Sequence, residues 1–134
     1  MNMANFRSGE GINRILVFRG GALGDFILTL PAIAALRQRW PRAFIELVAH
    51  PQYAELAARA QLVDNVRSLD SASMAMFFQS ESGLPQGEAE YLRSFDLIIS
   101  CLHDLDDTVL SHLEKSGAKR IITEPISKLG FFDE

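Results

Sequence analysis

The stretch RILVFRGGALGDF, Arg14 to Phe26, decides the fold. Its middle, Ile15-Leu16-Val17-Phe18, is apolar at every position. A strand with one wet face alternates apolar and polar residues, so a continuous apolar run implies cover on both faces. Gly20–Asp25 then interrupts the run with three glycines. Beyond it, Phe26–Arg39 carries Phe26, Ile27, Leu30, Ile33, Ala34 and Leu36 at helical spacing. Strand, glycine turn and helix in succession open a parallel βα unit. Arg37 and Arg39 fall in the last turn, where cations suit the helix dipole, and Trp40-Pro41 ends the helix. Pro31 removes one backbone bond inside the helix and predicts a kink near Ile27.

The same alternation continues downstream. Ala43–Ala49 reads as a second strand and Gln52–Ala60 as a short helix. Val63–Leu69 holds a third short strand, Ser71–Phe78 a helix, Glu81–Gly87 a loop and Glu88–Ser94 a helical turn. Phe95–Cys101 is a fourth strand. Asp104–Ser116 is a helix, with Asp104 as its N-cap and Gly117 just past its end, and Ala118–Thr123 is a fifth strand. These elements predict an α/β, Rossmann-like parallel sheet of about five strands in the order 3-2-1-4-5, flanked by helices. Residues 1–12 read as a loose tail and 13–134 as a single domain. In such sheets ligands sit at the carboxyl ends of the strands, which places Gly20–Asp25, Ala49–Tyr53 and Cys101–Asp107 along one rim.

Composition narrows the function classes. Of 134 residues, 48% are apolar and 22% charged, the balance of a globular domain rather than a disordered chain. No apolar stretch approaches the ~20 residues of a membrane span, and the first twelve residues lack the apolar block of a secretory signal. Cys101 is the single cysteine, which excludes an intrachain disulfide and a four-thiolate zinc site and suits a reducing compartment, the cytoplasm. The net charge of −4 is unevenly spread. Residues 1–67 carry eight arginines and five acids; residues 68–134 carry five basic groups and twelve acids. No basic face for nucleic acid is indicated, but the first half suits an anionic ligand.

The glycine turn allows two readings. A dinucleotide fingerprint requires G-x-G-x-x-G and an acid at the end of the second strand for the ribose. Here that spacing falls on Arg19, Gly21 and Gly24, and the second strand ends Val48-Ala49-His50. Glu46 lies mid-strand, facing the helical layer or paired there. Two defining features are missing, and no Gly-Lys-Ser/Thr follows to make a P-loop. What the turn does supply is Asp25 at the opening of a helix. Asp25 is either an ordinary N-cap, worth about 1 kcal/mol, or an anionic base projecting into the cleft, where position supplies what its modest basicity lacks.

The ordered set Arg19, Gly20-Gly21-Ala22, Leu23-Gly24-Asp25, Leu30-Pro31 and Pro41-Arg42-Ala43-Phe44-Ile45 resembles the opening of glycosyltransferase family 9, the ADP-heptose:lipopolysaccharide heptosyltransferases and relatives. The resemblance covers about the first fifty residues in motif and the remainder in pattern only. It implies the acceptor-binding N-terminal half of a GT-B fold. Asp25 would be the catalytic base of an inverting transfer of heptose or a related sugar to a bacterial lipopolysaccharide-type acceptor. Arg19 would hold an anionic group of that sugar or glycolipid acceptor, near a membrane surface. No cofactor is implied, because the nucleotide-sugar donor is a substrate. Family members run to roughly twice this length as two domains. The donor-binding half is therefore expected to be absent, and the chain alone is expected to be inactive. The alternative is a non-catalytic Rossmann-like module that binds an anionic or nucleotide ligand, or a partner chain.

The substrate-binding candidates are Arg19, Gly20, Gly21, Gly24, His50, Tyr53 and His103, with Asp25 as the catalytic candidate and no metal site. His103 and the acids Asp104, Asp106 and Asp107 follow the fourth strand, where Cys101 reads as a strand-end core residue and the acids as helix N-terminal charges. His112 is expected at the surface or half-buried. Phe131 and Phe132 suit an interface with a second domain or a second copy of the chain.

Overall fold

A computed structural model describes residues 11–21, 23–71, 86–102 and 108–123. The elements within them, in chain order, are β1 (Arg14–Arg19), α1 (Leu23–Arg39), β2 (Phe44–Ala49), α2 (Pro51–Arg59), β3 (Asn65–Ser68), α3 (Gln86–Arg93), β4 (Leu97–Cys101), α4 (Thr108–Lys115) and β5 (Ile121–Ile122). The five strands form one parallel sheet in the order β3-β2-β1-β4-β5, as the alternation of elements predicts. All but the first residue of the expected helix over Ser71–Phe78, most of the loop Glu81–Gly87, the Asp104 cap, and Phe131 with Phe132 lie outside the described residues.

β1 is the central strand, and Ile15, Leu16, Val17 and Phe18 are each 0% exposed. Because side chains alternate across a strand, these four feed two cores. Ile15 and Val17 pack with Phe26, Ile33 and Leu36 of α1 and with Ala54 and Ala57 of α2. Leu16 and Phe18 pack with Leu92 of α3, Phe95, and Val109 and Leu113 of α4. The sheet is thus covered on both faces. Ile12, assigned from the sequence to the tail, is buried in the first of these cores.

Two features of α1 differ from the sequence reading. The helix starts at Leu23, so Asp25 is the third residue of its first turn rather than its N-cap. The buried face is Phe26, Thr29, Ala32, Ile33 and Leu36, whereas Ile27 is exposed beside Leu28. The buried stripe is narrower at its start than the spacing predicts, because Ile27 lies one residue further round the helix than Phe26 and turns away from the sheet. The helix runs unbroken through Pro31. His112 also departs from expectation: it is buried near the end of α4.

The amino edge of the sheet is held by two carboxylates. Asp64, just before β3, accepts the Ile45 amide at 2.8 Å and an Arg37 Nη2 bond at 2.7 Å. Asp96, just before β4, accepts the Asn13 and Arg14 amides at 2.8 and 3.0 Å and faces Lys119 Nζ at 3.3 Å. Mid-sheet, Glu46 is buried and paired, accepting from Asn65 Nδ2 at 2.8 Å and from the Tyr91 hydroxyl.

Burial raises the Asp64 carboxyl. The Ile45 amide, with the hydrogen bond and charge of Arg37, outweighs that effect and leaves the pKa below its ordinary value. For Asp96, burial is likewise outweighed by the Asn13 and Arg14 amides and by Lys119. Depressed carboxylates stabilise the fold above their unfolded pKa of ~3.9 and lose that contribution as pH falls through the folded value. Urea midpoints measured from pH 6 to pH 2.5 should therefore fall steeply below about pH 4. A Asp64→Asn/Asp96→Asn double variant should be weaker at pH 6 and show a flatter acid limb.

Candidate functional site

Between β1 and β4 the chain order reverses direction across the sheet, and the carboxyl ends of those strands open a pocket of about 330 Å³. This is the switch point at which sheets of this type bind ligands. Arg19, Gly20 and Gly21 line it from the end of β1, Asp25 from the first turn of α1, Cys101 and Leu102 from the end of β4, and Thr123 from just past β5. The chain has to leave a fully buried strand here and enter a helix within three residues, and Gly21 makes the turn with φ +86°. That conformation costs an L-residue ~1–2 kcal/mol.

Arg19 and Asp25 face each other across the turn, with Arg19 Nη2 3.5 Å from Asp25 Oδ1. The arginine side chain is 18% exposed and the aspartate 52%. Arg19 Nε is buried without a hydrogen-bond acceptor. Arg14 Nε at the opposite end of β1 is unpartnered too, so the unpaired donor gains meaning at Arg19 from its place at the pocket, where an acceptor from outside can reach the guanidinium. Behind Asp25, the Thr29 hydroxyl donates to the Asp25 carbonyl at 2.8 Å, and Thr29 itself is buried. The first turn is thereby tied to the core while its carboxylate stays at the rim.

The candidates divide four ways. Arg19, Gly20, Gly21 and Asp25 come together at the pocket. A Cβ on Gly20 would lie 3.3 Å from Leu102 Cδ2, so this glycine sits close under the β4 loop. Gly24 is exposed, has open space where a Cβ would go, and does not line the pocket. His50 and Tyr53 form a neighbouring group at the end of β2. His50 Nδ1 is 3.7 Å from Asp70 Oδ1, and the Tyr53 ring stands 5.8 Å from both His50 and Phe26. Neither residue lines the pocket. His103 lies outside the described residues. Thr123 and Asp70 were not singled out from the sequence. Thr123 ends the fifth expected strand beside the fourth, and rim position alone would have marked it. Among the described residues no group of three or more His, Cys, Asp or Glu could hold a metal, and no helix is long and apolar enough to cross a membrane.

No protein-family profile matches the chain, and no curated protein matches it in sequence. Solved structures do match it in fold. A glycosyl transferase family 9 protein from Veillonella parvula DSM 2008 superposes with a TM-score of 0.59 at 15% identity, covering 90% of this chain and 42% of that one. The E. coli heptosyltransferase WaaC with ADP gives 0.44 at 21% identity, covering 66% and 27%. A Mycobacterium tuberculosis shikimate dehydrogenase gives 0.42 at 21% identity, covering 85% and 46%. The chain therefore spans less than half the length of each of these structures.

Because nothing approaches the missing Cβ of Gly24, and the residue lies in the first turn of a helix, Gly24→Ala should stabilise the fold. The expected gain is ~0.5–1 kcal/mol, from reduced freedom of the unfolded chain and better helix propensity. A rise in urea midpoint with an unchanged m-value is the expected readout.

Proposed function

We propose that this chain is the acceptor-binding domain of an inverting glycosyltransferase, with Asp25 as the catalytic base. The observation that carries the reading is the Arg19–Asp25 pair lining a pocket at the β1/β4 switch point. The fold likeness to the Veillonella family 9 protein and the Leu23-Gly24-Asp25 motif support it.

In the proposed reaction an acceptor hydroxyl enters the pocket beside Asp25. Its oxygen attacks the anomeric carbon of a sugar bound on a donor domain. The bond from that carbon to the nucleoside diphosphate breaks, and the diphosphate leaves with the electron pair. The acceptor proton passes to the Asp25 carboxylate, and the anomeric configuration inverts. Arg19 holds a phosphate or carboxylate of the acceptor through its guanidinium, whose Nε–H is buried and unpaired. Such charge-assisted bonds are the strong ones. The acceptor class that fits is an anionic sugar or glycolipid of the lipopolysaccharide type, handled at the cytoplasmic face of a membrane. Heptose or a related sugar is the transferred group.

Paired with a donor-binding domain, Asp25→Asn should lower turnover by ~10²–10⁴-fold, the usual worth of a positioned base. Its thermal melting should stay within a degree or two of the parent. Full activity in this variant would reject the base assignment. On the chain alone, Arg19→Met should weaken binding of a phosphorylated sugar by ~10–100-fold, equivalent to losing ~1.5–3 kcal/mol of charged hydrogen bonding. Calorimetric titration reads this directly. Equal affinity in both proteins would remove Arg19 from the site, and tight nucleotide binding with no response to phosphorylated sugars would favour a nucleotide-binding module instead.

A further inference from the structure

Gly21 and Gly117 have the same backbone conformation, φ +86° and +87°. What surrounds them differs. A Cβ on Gly117 would lie 3.1 Å from Arg93 Cδ, the stem of a long side chain that can move aside. A Cβ on Gly21 would lie 2.6 Å from Asp25 Oδ2 and 3.3 Å from Asp25 Cγ. The space a side chain would need at position 21 is already taken by the Asp25 carboxylate, whose other oxygen faces Arg19 at 3.5 Å.

We infer that Gly21 is a positioning residue for Asp25. Its missing side chain is the seat of the carboxylate, which lies over the Gly21 Cα with one oxygen turned to the Arg19 guanidinium. The clearance at this glycine therefore serves the protein's own aspartate, in addition to the turn. Any L-residue at position 21 expels the carboxylate from that seat. Because Asp25 is half exposed, it can swing outward without unfolding the helix. The fold then survives and the geometry of the pair does not. This assignment rests on the reading of Asp25 as a base for its functional meaning, but the geometry is testable without it.

The test is carried out on the whole chain. ¹⁵N spectra of the arginine side chains report the Arg19 guanidinium, and melting curves report strain. Gly21→Ala should shift the Arg19 signals in the direction that Asp25→Asn does. Gly117→Ala, which carries the same backbone strain, should leave them at their parent positions. Gly21→Ala should melt no more than a few degrees below Gly117→Ala. In an Asp25→Ala background, Gly21→Ala should produce no further change at Arg19, since no carboxylate remains to be expelled. Gly21→Asn, which tolerates positive φ better but still carries a Cβ, should repeat the Gly21→Ala result and serves if the alanine variant does not fold. Arg19 signals unchanged in Gly21→Ala or Gly21→Asn would overturn the inference, as would an equal shift with and without Asp25. Neither result depends on turnover, so the seat at Gly21 and the base role of Asp25 fail separately. In the two-domain enzyme, Gly21→Ala should reduce kcat by at least 10-fold with KM changed less than threefold.

Discussion

The described structure is arranged around a strand that has no face to give to water. The four middle residues of β1 are fully buried, two into each core. At about 25 cal/mol per Å² of apolar surface, leaving either face of such a strand wet would cost several kcal/mol. The strand must therefore be covered twice. Helices on both sides require crossover connections, crossovers make the strands parallel, and parallel strands end together at one rim. The pocket lies where it does because β1 and β4 end side by side there and the chain departs from them in opposite directions across the sheet.

The two rims are built from different materials. At the amino edge, Asp64 and Asp96 each stand one residue before a strand and take backbone amides of the neighbouring strand's start. A carboxylate there satisfies donors that the parallel ladder leaves open at its beginning. At the carboxyl edge the turn after β1 is nearly bare of side chains, and the groups present are a cation, a carboxylate and glycines. Both ends of β1 bury an arginine Nε without a hydrogen-bond partner, Arg14 at the amino edge and Arg19 at the carboxyl edge, and of the two it is Arg19 that lines the pocket.

The strand order and the doubly covered sheet were legible in the sequence because they follow from periodicity, and the runs around Val17, Leu47 and Ile99 are long enough to show it. The site was legible in part. Arg19, Gly20, Gly21 and Asp25 are consecutive enough to be read as one turn, and they do meet. His50 and Tyr53 share the rim with them but belong to a separate group with Asp70, because rim membership does not specify distance along the rim. The phase of α1 was misread at Ile27, since a run of apolar residues at a helix start does not say which of them faces inward. Neither Thr123 nor Asp70 stands in a motif; Thr123 is marked only by ending an expected strand at the rim. Each is brought to its neighbours by strand pairing over tens of residues, which single-sequence reading resolves only to the level of an edge.

The six-residue length of β1 has one more effect. It separates the two charged rims by about 20 Å, at ~3.3 Å per residue. At that distance a unit charge at one rim contributes below ~1 kcal/mol at the other with an effective dielectric constant near 20, before salt reduces it further. The amino rim can therefore gain or lose charge, whether by protonation or by substitution, with little effect on the potential at Asp25. Acid tolerance, set by the carboxylates of the amino rim, is thereby electrostatically separate from the pocket at the other end of the sheet.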